Sequence, residues 1–92
     1  MKNKKRERSE IIVEYLVKAK DWILKAHLMY GVGLNQVRYE DYLNALLKTE
    51  NLEERVVESH HQYRTTEKGR DFLKSFERTK KGLDEIKACL EH

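Results

Sequence analysis

The chain has 92 residues, of which 38% are charged and 39% hydrophobic, with a formal net charge of +3. That length allows one small domain, with room for an appended helix, and excludes two independent cores. Mean hydropathy is −0.85, and no apolar run approaches the ~20 residues that cross a bilayer, so a membrane protein is not expected. One cysteine, Cys89, cannot close an internal disulfide and suits a reducing compartment, here the cytoplasm.

The charge is unevenly placed. Residues 1–8 hold Lys2, Lys4, Lys5, Arg6 and Arg8 against Glu7, a net of +4, while the other 84 residues carry −1. The start of the chain therefore reads as a basic flexible arm. Such an arm attracts polyanions at long range, and a nucleic-acid backbone is the commonest of these in a cell. A solvated tail that only aids solubility is the plain alternative. No apolar segment follows it, so it does not read as a secretory signal.

In chain order, Ser9 is a candidate N-cap, and Ile12, Val13, Leu16 and Ala19 recur at helical spacing. This predicts a first helix over 9–20. Asp21 then caps a short second helix containing Ile23, Leu24, Ala26, Leu28 and Met29, which stops at Tyr30 because Gly31-Val32-Gly33 follows. Asn35 caps a third helix reaching about Thr49. Its apolar face carries Tyr39, Leu43, Leu46 and Leu47, and its opposite face Gln36, Arg38, Asp41, Asn44 and Lys48.

The period changes after Leu52. Residues 52–58 read as a strand, Ser59-His60-His61 as a polar turn and 62–65 as a partner strand, together a two-stranded hairpin. Thr66 caps a last helix that runs to the chain end. Along it Phe72, Phe76, Thr79, Leu83, Ile86 and Leu90 are spaced 4, 3, 4, 3, 4, the seam of a short coiled coil. A stripe extending this far beyond a small domain calls for a partner helix from a second copy; the plain alternative is a helix folded back on the first helix of its own domain. Residues 90–92, Leu-Glu-His, match the start of a vector-encoded polyhistidine tag, which would put the native end at Cys89.

The expected fold is mainly α with a small β-hairpin, in the winged helix-turn-helix order. It divides into an arm (1–8), a winged domain (9–66) and a dimerisation helix (67–92). In that layout the third helix enters the DNA major groove and the hairpin, the wing, lies on the backbone. Amide and guanidinium side chains at Gln36, Arg38 and Asn44 can hydrogen-bond base edges.

The stretch Leu28-Met29-Tyr30-Gly31, then Leu34-Asn35, then Tyr42-Leu43-Asn44-Ala45-Leu46-Leu47, resembles small archaeal winged-helix proteins. So does Tyr63-Arg64-Thr65-Thr66-Glu67-Lys68-Gly69, where the family has a Y-x-x-T-x-K-G segment joining the second wing strand to the last helix. The resemblance covers residues 9–76 in order and points to the Sulfolobus "ten-a" chromatin-protein family. It implies a homodimer, joined by a C-terminal antiparallel coiled coil, that binds double-stranded DNA as a transcription regulator or nucleoid protein.

The expected DNA-contacting set is Lys4, Lys5, Arg6 and Arg8 in the arm, Asn35, Gln36, Arg38, Asn44 and Lys48 on the third helix, and Arg55 and Arg64 in the wing. The expected dimer contacts are the six seam residues from Phe72 to Leu90. One feature counts against a strong DNA face: residues 35–52 and 53–66 each carry a net of −1. It motivates a second reading, a winged-helix module that docks another protein.

No cofactor or metal is expected. The adjacent His60 and His61 lack accompanying ligands at zinc spacing. No phosphate loop, nucleophile-base set or carboxylate pair points to an enzyme.

Overall fold

The computed structural model describes residues 6–90. Among them the chain forms α1 (Arg8–Lys18), β1 (Ile23–Leu24), α2 (Lys25–Val32), α3 (Gln36–Lys48), β2 (Leu52–Val57), β3 (His60–Thr65) and α4 (Glu67–Leu90). The fold is mostly helical with a small antiparallel sheet in the order β1-β3-β2.

The helix starts follow local chemistry. Asn35 caps α3, its side-chain oxygen accepting the Arg38 N–H at 3.0 Å. Thr66 caps α4 in the same way, accepting from the Gly69 N–H at 3.1 Å. At α1 the expectation of a Ser9 cap is corrected. The cap position is Glu7, and the Glu10 carboxylate accepts the Glu7 N–H at 3.0 Å, one half of a capping box.

The expected two-stranded hairpin is also corrected. Ile23 and Leu24 do not open a helix capped by Asp21. They form a third strand, paired with Tyr63 and Gln62 of β3. Helix α2 starts only after them and runs past Tyr30 to Val32, so Gly31 is helical. Gly33 is the true stop, at φ 69, where the left-handed conformation lets the chain leave the helix. The hairpin turn is shorter than expected too. Val57 pairs with His60, which leaves Glu58 and Ser59 as its two residues, at φ 50 and 71. Two consecutive positive φ angles give the turn that matches strand twist. His60 and His61 thus belong to β3.

The core joins every helix to the sheet. Tyr15, Leu16 and Ala19 of the α1 region, Leu28 of α2 and Tyr39 of α3 are wholly buried, with Leu43, Leu46, Leu52, Tyr63 and Leu73 closing round them. Each such aliphatic side chain contributes about 1.5–3 kcal/mol through burial. Tyr15 stacks between Tyr39 and Tyr42, at centroid distances of 5.7 and 5.9 Å. Its hydroxyl donates to the Tyr39 carbonyl at 2.9 Å, and the Tyr39 hydroxyl to the Lys25 carbonyl at 3.1 Å. Burial pushes both hydroxyls well above the usual tyrosine range, so they stay protonated donors. This stack fixes the pitch of α3 against α1 and α2.

Helix α4 behaves differently along its length. Its start is tied down: Gly69 and Leu73 are buried, and the Lys68 ammonium donates to the Thr49 carbonyl at 2.7 Å. Further on, Leu83, Ile86 and Leu90 are 51%, 58% and 79% exposed. At 1.5 Å per residue, the 24 residues of α4 make a rod of about 36 Å. No helix among the described residues is long and apolar enough to cross a membrane.

Candidate nucleic-acid interface

Helix α3 buries Tyr39, Leu43 and Leu46 and turns Gln36, Arg38, Asn44 and Lys48 outward, all exposed. Asp41 and Val37 share that outer surface. Asn35 uses its amide oxygen as the helix cap, accepting one bond there. The Tyr39 side of the helix is pinned by the tyrosine stack, so the outward row sits on a rigid support.

Of the arm, Lys4 and Lys5 lie outside the described residues. Arg6 is not a free cation. Its guanidinium bonds Glu14 at 2.6 Å and the Val32 carbonyl at 3.0 Å, clipping the start of the chain to α1 and α2. Arg8 is exposed and shares a cleft of about 500 Å³ with Arg38, Asp41, Tyr42 and Phe72. The structure therefore brings one arm cation beside the first turn of α3 and ties another down elsewhere.

Three of the acids that weigh against a DNA face are bonded to neighbouring side chains. Glu40 bonds Lys25 at 3.0 Å and Glu53 bonds Arg64 at 2.9 Å. Glu54 lies 2.6 Å from His61 Nδ1 and accepts the Tyr63 hydroxyl at 3.0 Å. The hydrogen bond with His61, with that from Tyr63 behind it, holds the Glu54 carboxyl below the usual carboxylate range despite partial desolvation. Glu54 in turn joins burial in pushing the Tyr63 hydroxyl up. On α3 and the wing this leaves Arg38, Lys48 and Arg55 against Asp41, Glu50, Glu54 and Glu58 as charges without a Lys, Arg, Asp or Glu partner among the described residues.

Arg55 and Arg64 stand on the outer face of the sheet, the guanidinium of each over the ring of Trp22, at 4.2 and 4.6 Å. The contact of Trp22 with both arginines is not visible in the sequence. Trp22 directly precedes Ile23, whose partner is Tyr63, so Arg64 is its cross-strand neighbour. Only that register reveals it. Tyr30 is 90% exposed. Among the described residues no group of three or more His, Cys, Asp or Glu is placed to hold a metal ion.

A family model described as winged helix-turn-helix matches residues 5–84. Among solved structures, Sso10a-2, described as a DNA-binding protein from Sulfolobus solfataricus, is similar over 94% of this chain and 90% of its own, with a TM-score of 0.79 and 26% identity. SSV1 F-93 aligns over 92% of this chain and 99% of its own, with a TM-score of 0.66 and 20% identity, a likeness of fold. No curated protein matches the sequence.

Proposed function

The chain belongs to the winged helix-turn-helix family, and we propose that it acts as a homodimeric DNA-binding protein, a transcription regulator or nucleoid-associated protein of the cytoplasm. The outward row Gln36, Arg38, Asn44 and Lys48 carries the reading. It offers amide and guanidinium donors to base edges from a helix whose other side is locked into the core. The wing lies on the backbone, and Arg8 with the arm residues Lys4 and Lys5 adds phosphate contacts. The Glu40–Lys25 pair supports this, since it offsets one acid of α3 with a cation from α2. The description of Sso10a-2 as DNA-binding supports it further.

Dimerisation uses the far part of α4. Leu83, Ile86 and Leu90 form an exposed stripe at coiled-coil spacing, continuous with Phe72 and Phe76. A second copy of the same helix covers it and presents two α3 rows to one duplex.

Electrophoretic shift of a mixed-sequence duplex at rising salt tests the binding. A complex at low salt is expected, weakened by Arg38→Ala and by deletion of residues 1–8. Lack of any complex at low salt would refute DNA binding and favour the protein-docking alternative. For the dimer, light scattering should give about twice the 11.1 kDa chain mass, and Leu83→Asp with Ile86→Asp should return it to one. A monomeric wild-type chain at high concentration refutes the dimer.

A further inference from the structure

Trp22, Arg55 and Arg64 form one layer on the sheet face turned away from the core, and the two cations in it are not equivalent. Arg64 is closed off: its Nε and Nη2 both bond Glu53 Oε2, at 3.0 and 2.9 Å, which cancels its charge locally. Arg55 is open. Its Nε donates to the neutral Gln62 Oε1 at 2.7 Å, and among the described residues its terminal nitrogens have no acceptor.

The chain's one tryptophan lies under both, partly buried, with the Arg55 guanidinium carbon 4.2 Å from its ring centre. An indole face under a guanidinium leaves hydrogen bonding to the guanidinium edge. With Nε already used, that edge is the terminal fork, which matches two oxygens of one phosphate. A carboxylate offers the same pair of oxygens, but the net +4 of residues 1–8 favours a polyanion.

We propose that Trp22 is a positioning residue for DNA binding: it holds Arg55 as the sheet's phosphodiester contact, while Arg64 stays an internal cation. The inference rests on the DNA-binding reading above. It separates the two arginines that sequence alone treats alike, and it makes the open one depend on the ring beneath it. Freeing a guanidinium from an exposed indole face relaxes its placement by about two- to fivefold.

The test is fluorescence anisotropy of a labelled mixed-sequence duplex with the full chain, over about 50 to 200 mM salt, where each phosphate contact adds about 0.9 to the log–log slope. Arg55→Ala should lower that slope by about one contact per wing and weaken binding to all sequences alike. Trp22→Leu should weaken binding about two- to fivefold with a partial loss of slope, and Trp22→Phe should recover part of it. The double variant Trp22→Leu/Arg55→Ala should bind no worse than Arg55→Ala, and Arg64→Ala should lower the slope less than Arg55→Ala does.

A folded Trp22→Leu with wild-type affinity and slope overturns the proposal. So does a double variant whose loss is the product of the two single losses. Should Trp22→Leu fail to fold, Arg55→Ala still decides: an unchanged slope overturns the assignment of the contact. A wild-type chain that binds no duplex at low salt overturns the DNA-binding reading itself, whereas the other failures leave that reading standing.

Discussion

Two glycines in one helix should respond to alanine in opposite directions. Within α4, a Cβ added at Gly69 would lie 2.5 Å from the Asn51 carbonyl oxygen and 2.7 Å from Thr65 Cγ2, while one added at Gly82 meets nothing within 4 Å. Neither neighbour of Gly69 can yield easily. The Asn51 oxygen accepts the Thr66 N–H at 3.1 Å, and Thr65 is wholly buried with its hydroxyl bonded to the Leu16 carbonyl. To reach even 3.0 Å the carbonyl must retreat by about 0.5 Å, a forced overpacking that costs about 1–3 kcal/mol.

Helix propensity returns at most about 1 kcal/mol at Gly69 and the same, unopposed, at Gly82. The two variants should therefore differ by the overpacking cost alone, about 1–3 kcal/mol, or about 4–24 °C in Tm for a chain of this size. Thermal unfolding followed by circular dichroism reads this directly. Gly69→Ala should fall below the wild-type chain and Gly82→Ala rise above it. A Gly69→Ala protein that melts at or above wild type would refute the close approach of α4 to the β2 entry.

Two further outcomes follow from buried and paired groups. Thr65→Val keeps the shape but removes the 2.8 Å bond from the hydroxyl to the Leu16 carbonyl, so stability should drop by about 1–3 kcal/mol in urea or thermal melts; an unchanged midpoint would show that this bond adds nothing to stability. The Glu54 carboxyl is held below its ordinary pKa. Its contribution is thus present above the unfolded-state pKa and is lost as pH falls through the folded one. Glu54→Gln should flatten the loss of stability below about pH 5, modestly because the side chain is 36% exposed, and identical acid profiles for the two proteins would discount the His61–Glu54–Tyr63 cluster.

The parts of this fold that were legible in the sequence are those whose signal is local. The outer and inner faces of α3 follow from helical period, and the caps Asn35 and Thr66 act within three residues of themselves. Strand β1 was not legible, because Ile23-Leu24 after Asp21 has the look of a capped helix start. Its strand character comes from pairing with Tyr63 and Gln62, about forty residues on. The hairpin turn at Glu58-Ser59 hid for another reason. It has no Asn-Gly or Asp-Gly signal, and left-handed φ angles fall on residues that seldom adopt them.

The candidate site was readable as a set of polar residues and unreadable as a charge pattern. Net charge by segment counts Glu40 against the face and Arg6 in favour of it. Glu40 is offset by Lys25 of α2 and Arg6 by Glu14 of α1, pairs that a sum within one segment does not see.

Thr65 ties together segments that are far apart in the chain. Its hydroxyl bonds the Leu16 carbonyl at 2.8 Å, and its N–H bonds the Ala19 carbonyl at 2.7 Å. These carbonyls belong to the last turn of α1 and its exit, where no following turn supplies a donor. The end of α1 is therefore completed by a residue made more than forty positions later. In folding time, the β2–β3 hairpin closes over a two-residue turn and can form early, whereas the seal between α1 and β3 waits for a long loop to close. Until β3 arrives, the first helix is open at its C-terminal end. During synthesis this stretch stays unsealed until the segment through Thr65 has left the ribosome.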